Sequence, residues 1–399
     1  MPLLDLWNSA RGTVEAMPLN QLLANAGDGR LKDGSEASAE FRTFIKKVPS
    51  RLLRGYCDFS LSNTLQDGGL ALQDLVNEVG RRLEFSVLFG RYRGVASVDE
   101  IGFDGLWTDP EGNSIVIEVK TTDAYRISLD TVAKYRKQIL EAGKAAGAVS
   151  ILFVVGRADT GELEAQIRGS RYAWDVRLIS IDALLNLLEI KESTDEEQTL
   201  SKIRKCLEPI EYTRLDSIVD LIFTATKDAE SAQAEDSAPE FDGSGDEAAP
   251  RRQAQTPREI IEERRSELVQ AVSKENRASL VAKRKALFWT DDEKFRICCV
   301  VSKRYDQGHR NYWYALHEPW LNFLKGGDSS FYVAGCVDQK IGFALPYSFL
   351  SEIIPKLNST MLPDKRYWHV QIKESTPTDH SLIVHGGQLI SINSFRFNF

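Results

Sequence analysis

With 399 residues and 42% hydrophobic content the chain has ample length for large cores, and two or three domains is the natural expectation. A formal net charge of −8 excludes the globally basic character of a nucleic-acid coat protein. Five cysteines, two of them adjacent (Cys298, Cys299) and none in CxxC spacing, exclude a disulfide framework or a zinc ribbon and fit a reducing cytoplasm.

No apolar run approaches the roughly 18–20 residues of a membrane span, and MPLLDLWNSARG lacks the basic-then-apolar pattern of a signal peptide, so neither membrane nor export is expected. The charge is uneven. Residues 251–399 carry 22 Lys and Arg against 16 Asp and Glu, while residues 228–250 hold 8 acidic residues and no basic ones. A modestly basic C-terminal part is compatible with a nucleic-acid partner.

Residues 1–68 hold short apolar-periodic pieces (Leu3–Trp7, Leu19–Ala24, Phe41–Val48) broken by glycine and proline, and predict an N-terminal helical appendage. Gly69–Leu83 has Leu72, Leu75, Val76, Val79 and Leu83 at helical spacing, with Glu78 off the centre of that stripe. Phe85–Tyr92, Ile101–Trp107 and Ser114–Lys120 read as three strands, the last two joined by the turn TDPEGN. Leu129–Ala145 is helical. Ala148–Val155 is a continuous apolar run of strand length, as in a strand covered on both faces. A helix at Glu162–Arg171, a strand at Val176–Ile181 and a helix at Ala183–Ile190 complete a mixed sheet flanked by helices, so residues 69–226 form an α/β domain.

Residues 227–255 are rich in Ala, Ser, Pro, Gly and negative charge, and predict an acidic flexible linker. Thr256-Pro257-Arg258-Glu259 is a helix start, with Thr as cap, Pro at the first helical position and Glu three residues on; it opens a connecting helix over 256–287. From Phe288 the texture is β. Residues 288–399 are expected to form a β-rich α+β domain, with a barrel-like arrangement as one option.

Four acid-x-Lys triplets occur, at Glu118, Glu189, Asp292 and Asp338, and context separates the first from the rest. Ile115, Ile117 and Val119 alternate with Val116, Glu118 and Lys120, so a strand puts the acid and the lysine on one face, roughly 6.6 Å apart. One turn upstream Asp104 sits in GFDGLW, where a hairpin brings it to Glu118. Charges on strands this apolar are costly to bury unless a cation or a partner compensates them. The competing reading is a solvent-facing ion pair.

This pattern resembles the PD-(D/E)XK, or restriction-endonuclease-like, nuclease superfamily: Asp104 after an apolar strand, then Glu118-Val119-Lys120 ending the next, a helix before, and a helix and strand after. The likeness covers about residues 69–190, and no proline precedes the first acid. It implies that Asp104, Glu118 and the Val119 carbonyl coordinate Mg²⁺, with Mn²⁺ as a substitute, and that Lys120 orients or helps deprotonate the attacking water. Glu78 matches a further acid of many such enzymes, the bland alternative being an exposed helix glutamate; Gln138 matches a glutamine of some branches, and Tyr135, one turn away, reads as packing. The expected function is a Mg²⁺-dependent endonuclease, with DNA favoured over RNA, in restriction or anti-phage defence.

All five histidines (309, 317, 369, 380, 385) follow the linker, which excludes a histidine-based nuclease centre in the first domain. No P-loop sequence is present. In the C-terminal domain Trp313, Tyr314, Trp320, Tyr332, Tyr347, Tyr367 and Trp368 interleave with Arg304, Arg310, Lys325, Lys340, Lys365 and Arg366, as in a surface that stacks bases and contacts phosphates; the alternative for each aromatic is a core position. That domain is expected to select the target or gate activity. Two other readings stay open: a nuclease fold that binds nucleic acid without cutting it, and a signalling protein licensed by a partner. Self-association as a homodimer and a partner protein of a defence system both fit.

Overall fold

The computed structural model describes residues 2–62, 67–92, 101–121, 128–156, 161–194, 197–208, 258–304, 312–361 and 366–399. The expected linker at 227–255 lies outside the described residues. Two compact units divide between Thr226 and Lys227.

The first unit opens with helices α1 (Leu3–Ser9), α2 (Arg11–Glu15), α3 (Leu19–Ala24), α4 (Glu36–Lys47), α5 (Ser50–Leu61) and α6 (Gly68–Arg82). Helix α4 starts where the Ser35 hydroxyl accepts from the Ser38 N–H and ends on Lys46 and Lys47, which suit the negative end of the helix. Then come strands β1 (Ser86–Phe89), β2 (Gly105–Thr108) and β3 (Ser114–Lys120), helix α7 (Leu129–Glu141), β4 (Val149–Val155), α8 (Gly161–Arg168), β5 (Val176–Ser180), α9 (Ile181–Ser193) and α10 (Glu197–Leu207).

The strands form one sheet in the order β1-β2-β3-β4-β5. The first three run as an antiparallel meander and the last three are parallel. The sheet is covered on both faces. Ile115, Ile117, Leu152 and Val154 share a core with α6, α9 and the N-terminal helices. Their strand neighbours Val116, Ile151, Phe153 and Val155 share another with Val132 and Ile139 of α7 and Leu163 of α8. This is why all seven residues of β4 are buried, as the unbroken apolar run requires.

The N-terminal helices correct one expectation: they are not an appendage. Leu3, Trp7, Phe41 and Phe44 are buried in the same core as Leu72, Trp107 and Ile117. Polar stitching adds to this. Arg82 on α6 donates to the Ile45 and Val48 carbonyls at 2.8 and 2.7 Å and to the Ser50 hydroxyl at 2.6 Å, tying α6 to the corner between α4 and α5.

Among the described residues the second unit opens on α11 (Arg258–Glu275), which is shorter than the helix expected over 256–287. It stops in a Schellman turn: Arg277 takes the left-handed conformation (φ 50), Ala278 N–H bonds the Ser273 carbonyl at 2.9 Å and Arg277 N–H bonds the Lys274 carbonyl at 3.3 Å. The rest of that segment is β6 (Val281–Ala282) and β7 (Leu287–Trp289). The remaining elements are β8 (Phe295–Ser302), β9 (Tyr312–His317), α12 (Glu318–Lys325), β10 (Ser329–Cys336), β11 (Ile341–Pro346), α13 (Tyr347–Ile353), β12 (Ser359–Met361), β13 (Arg366–Thr376), β14 (Asp379–Ile383), β15 (Leu389–Ser391) and β16 (Arg396–Asn398).

These strands make two open sheets rather than a barrel. One has the order β16-β11-β10-β8-β7-β6; the other has β12-β13-β14-β15 with β9 paired to β13. Cys298, Tyr332 and Phe343 of the first face Tyr314, Trp368 and Val370 of the second across a shared core. The outer face of the first sheet is covered by Leu268 and Val272 of α11.

Candidate active site

The hairpin β2–β3 carries the acid and lysine residues singled out in the sequence. Its turn is set by Asp109, whose carboxylate accepts from Asn113 N–H at 2.7 Å and Asn113 Nδ2 at 3.0 Å, with Gly112 in the left-handed region (φ 90). The register pairs Gly105 with Ile117, so one step further along sets Asp104 opposite Glu118. Glu118 and Lys120 share the parity of Val116 and therefore point to the α7 side of the sheet.

Asp104 is fastened at every backbone atom able to bond. Its N–H donates to the Ile117 carbonyl at 3.1 Å, and its carbonyl accepts from Gly90 N–H at 2.9 Å. The same carbonyl accepts from Gln73 Nε2 at 3.0 Å and Asn77 Nδ2 at 2.9 Å, both on α6. The side chain is fastened through one oxygen only: Oδ2 accepts from Val119 N–H at 2.7 Å. Oδ1 has no hydrogen-bond partner among the described residues.

Glu118 is similarly half-spent. Oε1 accepts from Lys120 Nζ at 2.7 Å, and Oε2 is buried without a hydrogen-bond partner among the described residues. A buried carboxylate oxygen left unbonded costs of order 1–3 kcal/mol or more. Burial, and then the nearby Glu118 charge, push the Asp104 carboxyl up to about 7, against the pull of Val119 N–H and Lys120. Tyr135 on α7 lies in the same field: burial first, then Glu118 and Asp104, raise its hydroxyl above the ordinary tyrosine value.

The structure thus brings together Asp104, Glu118, Val119 and Lys120, and adds Tyr135, Gln73 and Asn77. Val119 enters through its N–H. Glu78 is not brought in. It is fully buried on α6, which packs on the opposite face of the sheet from the carboxylates, and both its oxygens are taken by Arg81 and Arg82 at 2.7–2.8 Å. It is not an exposed glutamate, and its partners are the two arginines rather than Asp104 or Glu118. Gln138 lies half-buried on α7, three residues beyond Tyr135, and its side chain makes no hydrogen bond among the described residues.

The free oxygens suit a hard, oxygen-seeking cation. Mg²⁺ binds through one or two carboxylates and fills its remaining positions with water and substrate phosphate. Among the described residues no group of three or more His, Cys, Asp or Glu could hold a metal ion, so a closed protein cage is not on offer. Two convergent carboxylates, one oxygen free on each, meet the looser requirement.

Sequence reasoning missed Gln73 and Asn77. Apolar periodicity marks what a helix buries in oil, and these two are buried against a main-chain carbonyl; the one available signal was a polar pair at i, i+4 on a strongly apolar helix.

In the second unit the proposed stacking surface is largely core. Tyr314 and Tyr332 are at most 2% exposed, and Trp320 and Trp368 are also buried, whereas Trp313, Tyr347 and Tyr367 are half-buried. Arg304 is held by Asp338 and Glu374. Arg310 and Lys365 lie outside the described residues. Among the described residues no helix is long and apolar enough to cross a membrane. Compared with known proteins, the chain matches no family model and no curated protein.

Proposed function

We propose that the first unit is a restriction-endonuclease-like, Mg²⁺-dependent nuclease that hydrolyses phosphodiester bonds, with DNA as the favoured substrate and restriction or anti-phage defence as the setting. One observation carries the reading: two carboxylates, Asp104 and Glu118, converge on a poorly solvated spot, each with an unbonded oxygen, with a lysine 2.7 Å from the second. Uncompensated, that arrangement is electrostatically unfavourable, and a divalent cation relieves it.

Asp104 and Glu118 would hold the ion through the carboxylate oxygens that the fold leaves unbonded. When bound, Mg²⁺ makes a coordinated water more acidic and neutralises charge that builds on the phosphate. Lys120 supplies a cationic group beside Glu118, placed to orient the attacking water or to stabilise the negative charge of the pentacoordinate transition state. Val119 N–H keeps Asp104 turned so that its other oxygen stays available. The second unit, in this reading, selects the target or licenses cleavage.

The test is incubation of the full chain with supercoiled plasmid and Mg²⁺, beside Glu118→Ala and Lys120→Ala. Wild-type nicking or linearisation, abolished by EDTA and reduced at least 100-fold in either variant, is expected. Cleavage indifferent to both substitutions overturns the assignment. Metal binding without cleavage of any DNA or RNA favours a nucleic-acid-binding role.

A further inference from the structure

Helix α6 presents a second stripe beside its apolar one. Gln73, Asn77 and Gly80 fall at i, i+4 and i+7, so they line one side of the helix. They meet Asp104, Gly105 and Trp107 of the hairpin. Gln73 Nε2 and Asn77 Nδ2 converge on the Asp104 carbonyl, Nε1 of the fully buried Trp107 donates to Asn77 Oδ1 at 2.9 Å, and the Trp107 ring lies against Gly80 so closely that a Cβ there would come within 2.3 Å of it. Asn77 also donates to the Gln73 carbonyl at 3.0 Å, which uses both N–H donors of its amide while its oxygen takes the Trp107 bond. A Cβ at position 105 would stand 2.1 Å from Asn77 Oδ1, so the glycine after Asp104 is what lets the amide come this near.

We infer that Gln73 and Asn77 are positioning residues for the metal site: they fix the peptide on the C-terminal side of Asp104 and thereby the direction in which its carboxylate points. The inference rests on the nuclease reading above. Neither amide touches the carboxylates themselves. A clamp on the carbonyl works because the peptide after Asp104 is then held by three donors while the peptide before it is held through the Asp104 N–H on the Ile117 carbonyl; with both planes fixed, φ and ψ of Asp104 have little freedom and the Cα–Cβ direction is set. Catalytic constellations lose rate steeply when their geometry relaxes by as little as about 1 Å.

The test uses the full chain and three variants: Gln73→Met, which keeps volume and removes both donors; Asn77→Ala; and the two combined. Mg²⁺ affinity is read by isothermal titration, cleavage as separate kcat and KM for plasmid, and folding by thermal melting. Each single change is expected to weaken Mg²⁺ binding by about 10–100-fold, the range for losing a residue that orients a ligand. It should lower kcat with little change in the KM for DNA. The double variant should lose less than the product of the single losses, since both amides act on one oxygen. Gln73→Met leaves the Asn77–Trp107 bond in place, so a failure of Asn77→Ala to fold does not spoil the test. A folded Gln73→Met that binds Mg²⁺ as tightly as wild type and cleaves as fast overturns the inference while sparing the nuclease reading. Wild type that takes up no Mg²⁺ overturns both.

Discussion

Asp104 is a residue whose assigned task works against the stability of the metal-free chain. Its carboxyl moves from an ordinary value of 3.8 to about 7 in the fold, so the folded chain holds that proton more strongly than the unfolded one. By linkage, the group's contribution to stability falls as pH rises through the window from about 4 to about 7, where the native form must give up the proton. Asp104→Asn is therefore expected to raise the melting temperature of the metal-free protein at pH 8 and to do so much less at pH 4. It should also eliminate Mg²⁺ binding and cleavage. A melting difference independent of pH would count against the assigned electrostatics. Glu78 gives the opposite pattern. Removing it leaves Arg82 buried without its carboxylate, so Glu78→Ala should cost about 3–5 kcal/mol by urea denaturation. The fraction that remains folded should bind Mg²⁺ as wild type does. A selective loss of metal affinity would return Glu78 to the site.

At the scale of elements, the sequence was most legible where one rule acted alone. The apolar run of β4 and the alternation of β3 follow from burial on two faces, and both appear where periodicity placed them. Strand β2 is shorter than its apolar run, Gly105–Thr108 against the expected 101–107, which leaves Asp104 at the end of the ladder, where its carbonyl is shared between Gly90 N–H and the two α6 amides. Only a tertiary contact reveals this, so no local pattern could announce it. Helix α11 overran in the reading because nothing in Asn276-Arg277-Ala278 looks like a stop; the turn uses a left-handed arginine where glycine is usual. Arg277→Gly is thus expected to stabilise the second unit, by about 0.5–1 kcal/mol in thermal or urea melts. Destabilisation there would mean that the arginine side chain contributes more than its backbone costs.

For the whole molecule, the candidate site belongs to one unit. Gln73, Asn77, Asp104, Glu118, Lys120 and Tyr135 all precede Thr226, and the cores that fix them close within the same unit. Residues 1–226 alone are expected to melt cooperatively and to bind Mg²⁺ with the affinity of the full chain, as read by circular dichroism and titration calorimetry. A broad, non-cooperative melt would show that the second unit completes the fold of the first. The aromatic second unit was the least legible part. An aromatic residue on a strand serves a core or a binding face equally well, and only the sheet pairing told Tyr314 and Trp368 apart from Trp313 and Tyr367.

The confinement of the site to the first unit has a consequence in time. During synthesis the N-terminal unit emerges first, and at roughly 5–20 residues per second the ribosome needs on the order of 10–35 seconds more to deliver Lys227–Phe399. Throughout that interval every residue assigned to the metal site has already left the ribosome and can fold. A second unit that served only as a brake would leave each nascent chain uncontrolled for those seconds. A second unit that brings the substrate to the site would leave the nascent chain harmless, since the site would be complete but have nothing delivered to it.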